Sequence, residues 1–300
     1  MKSTPEPLVT VVIPAYNRAR SIENSLRSVQ AQTYQNWEVI VVDDSSKDDT
    51  AACVMRLGQE DSRIKLIRHQ RNQGAQAARN TGIHAAQGKW IAFLDSDDQF
   101  FPYSLESRMM VANRENVSVV HSGCNMIHPD GSIEPYRTEP ISGRVYRRLL
   151  EREGPVFPGI LVSREAMQRI GYLDERIEGF QEWDTAIRLA KHYPFGFEPR
   201  PTFIYDCRNS DTLSKNLLRG ARGYEQVVRK HYWAMFRHVG PRALARHYDI
   251  AAGWYERGGD QRSVRRCQSM GFAWLLLDPG TVFQKLWRLS PFRGRTNEDS

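Results

Sequence analysis

The sequence predicts an α/β fold: a mostly parallel sheet covered by helices, then an α+β half, then a helical C-terminal extension. Three observations carry this. Five apolar, β-branched runs begin at Leu8, Trp37, Ile64, Trp90 and Val117, spaced 29, 27, 26 and 27 residues apart. Stretches with helical patterning lie between them, at 21–32, 50–58, 74–87 and 102–115. The runs are also near-continuously apolar, as strands buried on both faces require. Ligands of such sheets sit beyond the carboxyl ends of the strands, so the residues just past each strand are the informative ones.

The first strand runs into Pro14-Ala15-Tyr16-Asn17. A dinucleotide-binding turn needs glycines there so that backbone can approach a pyrophosphate, and this turn has none. The second strand ends in Asp43-Asp44-Ser45-Ser46-Lys47-Asp48-Asp49-Thr50. Asp48 and Asp49 read as a turn and helix cap. Asp43 and Asp44 stand at the strand edge, where a carboxylate can accept hydrogen bonds from a base imide or a ribose hydroxyl. The fourth strand, WIAFL, ends in Asp95-Ser96-Asp97-Asp98. A helix cap accounts for Asp98 but leaves Asp95 and Asp97 repelling each other. Hard oxygen ligands in that arrangement suit magnesium or manganese bound jointly with phosphates.

After residue 121 the regular alternation stops. Pro129-Asp130-Gly131-Ser132 reads as a turn, FPGILVS from Phe157 as a strand, 182–192 as a helix, and GFEPRPTFIYDCR from Gly196 as an extended segment. Beyond Leu217 the pattern is helical, ending in a polar tail. The expected division is 1–217, made of an 8–121 half and a 122–217 half, followed by an extension over 218–300.

Composition narrows the function classes. With 300 residues, 40% hydrophobic and 26% charged, the chain can build a core without disulfides or metal, and global disorder is excluded. Cys53, Cys124, Cys207 and Cys267 form no CxxC pair, which suits reduced core thiols. No apolar run reaches membrane-spanning length and Met1–Pro7 lacks a signal-peptide core, so a cytoplasmic chain is expected. The net charge of +7 is concentrated at one end: 1–218 carry 27 Lys+Arg against 28 Asp+Glu, and 219–300 carry 15 against 7. That extension suits nucleic acid, an anionic membrane or a polyanionic substrate equally.

The motifs taken together resemble family 2 glycosyltransferases of the GT-A (Rossmann-like) fold. They are Val11 through Asn17, Val41 through Ser46, Gly74 through Arg79-Asn80-Thr81-Gly82 to Gly88, and Phe93 through Asp98, with matching order and spacing from 8 to about 210. The resemblance implies an inverting transferase using a nucleotide-diphospho-sugar donor and Mn2+ or Mg2+. It assigns Pro14, Tyr16 and Asp44 to the nucleoside, and Asp95 and Asp97 to the metal, Asp97 foremost. Ser96 and Arg79 join the donor site, although Arg79 and Arg71 also read as solvated helix-face residues.

The family's catalytic base falls in the stretch Gly179-Phe180-Gln181-Glu182-Trp183-Asp184, with Glu182 where relatives more often have Asp. Asp184 lies four residues before Arg188, an i,i+4 ion pair expected to be worth less than about 1 kcal/mol. That leaves Glu182 free to face the site as the base, with Asp184 competing for the role. Trp183 reads either as an acceptor wall or as a core aromatic. Where family members carry a His this sequence has Asn209. The QxxRW motif of processive members is absent, which points to single-sugar addition to a saccharide or lipid-linked saccharide, as in polysaccharide or glycolipid synthesis.

Three rivals remain. A nucleotidyltransferase needs a glycine-rich basic loop after strand one, which PAYN is not. A nucleic-acid-binding protein would use the basic extension with Tyr224, Tyr232, Trp233, Phe236 and Trp254, yet it shows no known nucleic-acid module, so no nucleic acid partner is expected. A catalytically silent partner subunit would not need the intact acidic motif. Finally, Val282, Phe283, Leu286, Trp287 and Leu289 fall within an arc of about 160° at about 100° per residue. They predict an amphipathic helix that either packs on the core or binds the inner face of an anionic membrane.

Overall fold

In the computed structural model, which describes residues 6–136, 139–208 and 216–278, the first four apolar runs form parallel strands. They are β1 (Val9–Ala15), β2 (Trp37–Asp43), β3 (Ile64–Arg68) and β4 (Trp90–Phe93), side by side in the order β3-β2-β1-β4. Every residue of β1 and β2 is buried, the condition their continuous apolar sequence anticipates. Helices α1 (Ile22–Gln30), α2 (Thr50–Glu60), α3 (Ala75–Ala85) and α4 (Ser104–Glu115) fill the expected intervals. Gly82 shows how closely α3 packs: a Cβ there would lie 2.5 Å from Val12 Cγ1 of β1.

Pairing fixes the functional edge. Val9 stands opposite Trp37 and Ala15 opposite Asp43, so β1 and β2 end in step. The Asp44 N–H donates to Ala15 O at 2.8 Å, and Leu94 N–H to Val12 O at 3.1 Å. The three chain segments that leave β1, β2 and β4 therefore emerge along one rim.

Past β4 the sheet becomes mixed. β5 (Gln99–Phe100), β6 (Val119–Ile127), β7 (Ile133–Tyr136), β8 (Leu161–Ser163) and β9 (Phe195–Asp206) extend it in the order β4-β8-β6-β9-β5, with β7 on β6. The fifth apolar run is thus parallel to β9 but antiparallel to β7 and β8. The turn at Pro129–Ser132 causes the first reversal, with Gly131 at φ 84° and its N–H donating to His128 O. FPGILVS is only partly strand. Phe157–Gly159 forms a 3-10 turn before β8, and a Cβ on Gly159 would sit 2.7 Å from Ser122 O. The β6–β9 register shifts between Ser122, opposite Glu198, and Cys124, opposite Phe203. Pro199 and Pro201, which have no N–H to give a ladder, fall in that shift. Helices α5 (Tyr146–Glu151), α6 (Arg164–Arg169) and α7 (Gln181–Ala190) complete this part.

The described residues divide into two compact units: those up to Ile177 with 181–208, and Glu178–Phe180 with 216–278. The second is built of α8 (Leu217–Val239), α9 (Pro241–Arg257) and α10 (Gln261–Leu276). Gly240 at φ 88° ends α8 and Pro241 opens α9, the usual stop and start residues. Inside the unit, Tyr224 Oη lies 2.8 Å from His247 Nδ1, and the Glu225 carboxylate accepts from Tyr255 Oη and Arg266. All four cysteines are free thiols. Among the described residues no helix is long and apolar enough to cross a membrane. Asn209 and the amphipathic stretch 282–289 lie outside the described residues.

Candidate active site

The loops after β1 and β2 are laced together. Asn17, at φ 52°, donates its N–H to Ser46 Oγ at 2.9 Å, and its Oδ1 accepts from Lys47 N at 2.9 Å. Asp48 accepts from Ala19 N and from Thr50, which accounts for it as a turn residue. Asp43 is fully buried, accepts from Ser46 N at 3.0 Å and pairs with Arg68 at 3.0 Å. Its role is to hold the turn. Pro14 is buried in β1, and Tyr16 stands at the rim with 41% of its surface exposed.

Asp44 is buried and densely bonded. Its Oδ1 accepts from Gln73 N at 2.8 Å and lies 2.7 Å from His69 Nδ1, and its Oδ2 accepts from Gly74 N at 2.7 Å. His69 Nε2 lies 2.9 Å from Thr81 Oγ1. The carboxylate thus fixes the loop that enters α3, at Gly74 with φ 93°. Of the roughly four lone-pair sites of a carboxylate, three are engaged by these bonds, so Oδ2 keeps one.

Past β4, Asp95, Ser96, Asp97 and Asp98 crowd onto one turn closed by Asp98 N–H to Asp95 O at 3.1 Å. Arg79 Nη2 donates to Asp95 Oδ1 at 2.5 Å, and its Nη1 to Gln76 Oε1 at 2.9 Å. Its guanidinium lies over the Phe157 ring, 4.5 Å from the centroid. Arg79 is therefore a buried, positioned cation, which corrects the solvated reading; Arg71 is exposed. Among the described residues, the cation paired with Asp97 is Arg18, at 3.6 Å. Burial first, and then the Asp95 charge, raise the Asp97 carboxyl above the usual range. Asp98 is buried and raised further, again by burial and then by Asp95 and Asp97, and among the described residues its Oδ2 has no hydrogen-bond partner. Three crowded carboxylates could hold a divalent ion. Among the described residues no three such groups are arranged to cage a metal unaided. That fits an ion bound by one or two carboxylates plus substrate phosphates.

Glu182 lies in the first turn of α7, half-buried. Burial raises its carboxyl above the usual value; its own N–H and Arg79 oppose this, and Asp95 adds to it. The structure therefore brings Glu182, Arg79 and Asp95 within electrostatic reach of one another. Glu153 joins them, its carboxyl pushed up to about 7 by partial burial and by Glu182.

One open alternative is settled here and one expectation changes. Trp183 is fully buried and donates Nε1–H to Leu149 O at 2.7 Å, so it is a core aromatic. Asp184 does pair with Arg188, at 2.9 Å, but the pair is internal, with Asp184 only 1% exposed. Arg188 also donates to Ile170 O and Tyr172 O. Sequence reading passed over Arg18, Gln76, His69 and Asn80. Asn80 exchanges hydrogen bonds with Leu173 and donates to Glu175 Oε1 at 2.7 Å, tying α3 to the segment that precedes α7. Its place beside Arg79 in the Arg-Asn-Thr-Gly motif was the available signal.

The model of glycosyl transferase family 2 matches residues 10–176, which span all the loops just described except the start of α7. The chain belongs to that family. Its sequence is 40% identical over 121 residues to the Escherichia coli UDP-Glc:alpha-D-GlcNAc-diphosphoundecaprenol beta-1,3-glucosyltransferase WfgD, covering 40% of this chain and 47% of that one. It is 35% identical over 128 residues to a Campylobacter jejuni GalNAc(5)-diNAcBac-PP-undecaprenol beta-1,3-glucosyltransferase, covering 42% and 41%. The chain thus spans less than half the length of these two relatives. Its fold matches S. aureus TarS in complex with UDP-GlcNAc, at TM-score 0.64 and 13% identity, over 88% of this chain and 91% of that one. It also matches the Pyrobaculum calidifontis mannosyltransferase PcManGT in complex with GDP-Man and Mn2+, at TM-score 0.59 and 21% identity, over 96% and 89%. These family 2 likenesses establish the GT-A architecture with its mixed sheet and C-terminal helices.

Proposed function

We propose that this family 2 member is an inverting glycosyltransferase that moves one sugar from a nucleotide-diphospho-sugar to an acceptor hydroxyl. The observation that carries the reading is the convergence of Glu182 with the Arg79–Asp95 pair beside Asp97. In the reaction the acceptor O–H gives its proton to a Glu182 oxygen while that hydroxyl oxygen bonds the anomeric carbon. The bond from the anomeric carbon to the diphosphate oxygen breaks, and its electrons leave with the nucleoside diphosphate. A raised carboxyl is a better proton acceptor than an ordinary one, and a positioned base is worth roughly 10²–10⁴-fold.

Pro14, Tyr16 and Asp44 border the nucleoside at the rim, and Asp95, Ser96 and Arg79 orient the sugar and diphosphate. Asp97 with Asp95 would hold Mn2+ or Mg2+. The chemistry that ion supplies when bound is neutralisation of charge on the departing diphosphate. In this reading residues 8–121 form the donor half, 122–217 the acceptor half, and 218–300 an extension. The names of the WfgD and Campylobacter relatives specify undecaprenol-linked acceptors, which supports a lipid-linked saccharide as acceptor and work at the cytoplasmic membrane face.

The test incubates the full chain with Mn2+, a panel of UDP-, GDP- and dTDP-sugars, and saccharide acceptors. Product with one donor class, lost in Glu182→Gln and in Asp97→Asn, is the expected result. Full transfer by either variant would sink the assignment.

A further inference from the structure

Four of the exposed large apolar residues of the helical unit gather on one face, while Ile250, Phe272 and Leu276 lie elsewhere. On α8, Trp233 is 66% and Phe236 37% exposed; Met270 of α10 is 41% exposed and Leu277, just past its end, 60%. At about 100° per residue, Arg229, Trp233, Phe236 and Arg237 fall within an arc of about 100°, and Met270, Trp274 and Leu277 within about 60°. The rings join the two stripes: Tyr232 to Trp233 at 4.9 Å, Trp233 to Phe236 at 6.2 Å and Phe236 to Trp274 at 5.6 Å.

The exposed charge of α8 and α10 themselves has one sign; Asp278, which follows α10, is buried and paired with Arg242, and Asp249 belongs to α9. Arg229, Lys230, Arg237 and His238 are exposed beside the α8 stripe. The only acidic residue of α8, Glu225, is buried and bonded to Tyr255 and Arg266; α10 has three arginines and no acid. Aromatic and long aliphatic side chains on adjacent helices, rimmed by guanidinium groups, match a bilayer interface, where rings settle among headgroups and cations meet lipid phosphates. With no described helix long enough to cross, the contact is one of lying on the surface.

We infer that the α8–α10 face carrying Trp233, Phe236, Trp274 and Leu277 docks the protein on an anionic lipid bilayer. The choice of occupant rests on the lipid-linked acceptor proposed above, and on a charge complementarity that stands without it. An acceptor whose sugar projects from a membrane would then be met by an enzyme already held there.

The test sediments the full chain with phosphatidylglycerol-containing vesicles and with pure phosphatidylcholine vesicles at low salt. Binding only to the anionic vesicles is expected. Trp233→Ala/Phe236→Ala and, separately, Arg229→Glu/Arg237→Glu should each weaken it by about tenfold or more, with unchanged circular dichroism. The charge reversals alter only exposed side chains, so they keep the test valid should the aromatic pair disturb folding.

The proposal is overturned if the full chain ignores anionic vesicles, or if both variants bind like the parent, which would place binding elsewhere, 279–300 included. It is equally overturned if the aromatic variant turns a dimer into a monomer without changing vesicle binding, since the face would then join two copies. Transfer to a soluble acceptor, measured in parallel, is expected to be unchanged in both variants. Loss of transfer in the parent chain with vesicle binding intact would count against the catalytic reading alone.

Discussion

Glu182 and Asp98 share one turn of reasoning: each carboxyl is raised because burial and nearby negative charge disfavour its ionised form. For Glu182, the base proposed above, the consequence is kinetic. A base must be deprotonated, so the transfer rate should rise with pH through a carboxyl value above the ordinary Glu range and level off beyond it. The Glu182 charge raises Glu153, not the reverse, so their interaction is read at Glu153: Glu182→Gln should move the Glu153 carboxyl below its value of about 7, followed by carboxyl NMR. A Glu153 value that stays in place would show that the two carboxyls do not interact. For Asp98 the consequence is stability. Its folded value lies above the unfolded one, so the folded state holds the proton more tightly, and stability is lost as pH rises through the folded value. Asp98→Asn keeps the acceptor for Asp206 N–H and abolishes the buried charge. The metal-free variant should therefore melt higher than the parent at pH 7, with the gap closing in acid; a lower melting temperature at pH 7 would refute this. The carboxylates past β2 and β4 were legible in the sequence because strand ends are legible. Their partners were not: Arg79 to Asp95 and His69 to Asp44 span 16 and 25 positions, and no local pattern encodes which of several arginines turns inward.

The helices after the parallel strands were equally legible, since each occupies the interval between two apolar runs and needs only its period to be read. The second half was less so. A strand of three residues, β8, and one of two, β5, carry too little sequence to show alternation, and β9 hides its register shift around Pro199 and Pro201. Burial was the other blind spot. Spacing alone marks Asp184 and Arg188 as neighbours on α7, but only packing makes them an internal pair that also holds the Ile170 and Tyr172 carbonyls. The cost of breaking the pair is revised accordingly. Asp184→Ala leaves Arg188 with no carboxylate opposite its Nε–H, and removing one partner of a buried pair costs about 3–5 kcal/mol. Chemical denaturation should show a loss near the lower end, since Arg188 keeps a little solvent access. A loss below about 1 kcal/mol, the range of exposed pairs, would mean the site opens to water. Arg108 plays a comparable part on α4: fully buried, it donates to Ser104 and to Pro158 O, fixing the turn whose Phe157 ring lies against Arg79.

Across the whole molecule the charge is divided by region: a near-neutral 1–218, with Asp43, Asp44, Asp95, Asp97 and Asp98 at and past the strand ends at the sheet rim, and a basic 219–300. In the proposed function the rim would couple two ligands. A nucleotide-diphospho-sugar alone brings negative phosphates toward Asp95, Asp97 and Asp98, which repel it. A divalent cation alone meets one or two carboxylates and completes its oxygen shell with water, so it too binds weakly. Together, each supplies what the other lacks: the cation screens the carboxylates from the diphosphate, and the diphosphate completes the shell. A ligand that binds only the folded state stabilises it by RT ln(1 + [L]/Kd), about 2.7 kcal/mol at a hundredfold excess over Kd. The melting temperature of the full chain, read with Mn2+ alone, donor alone and both, should therefore rise by more with both than by the sum of the separate shifts. Asp97→Asn should erase that excess while leaving the metal-free melt at or above the parent's, because one of the crowded negative charges has gone. Shifts that simply add, or an excess that survives in Asp97→Asn, would remove Asp97 from the metal site and leave the acidic turn without the role assigned to it.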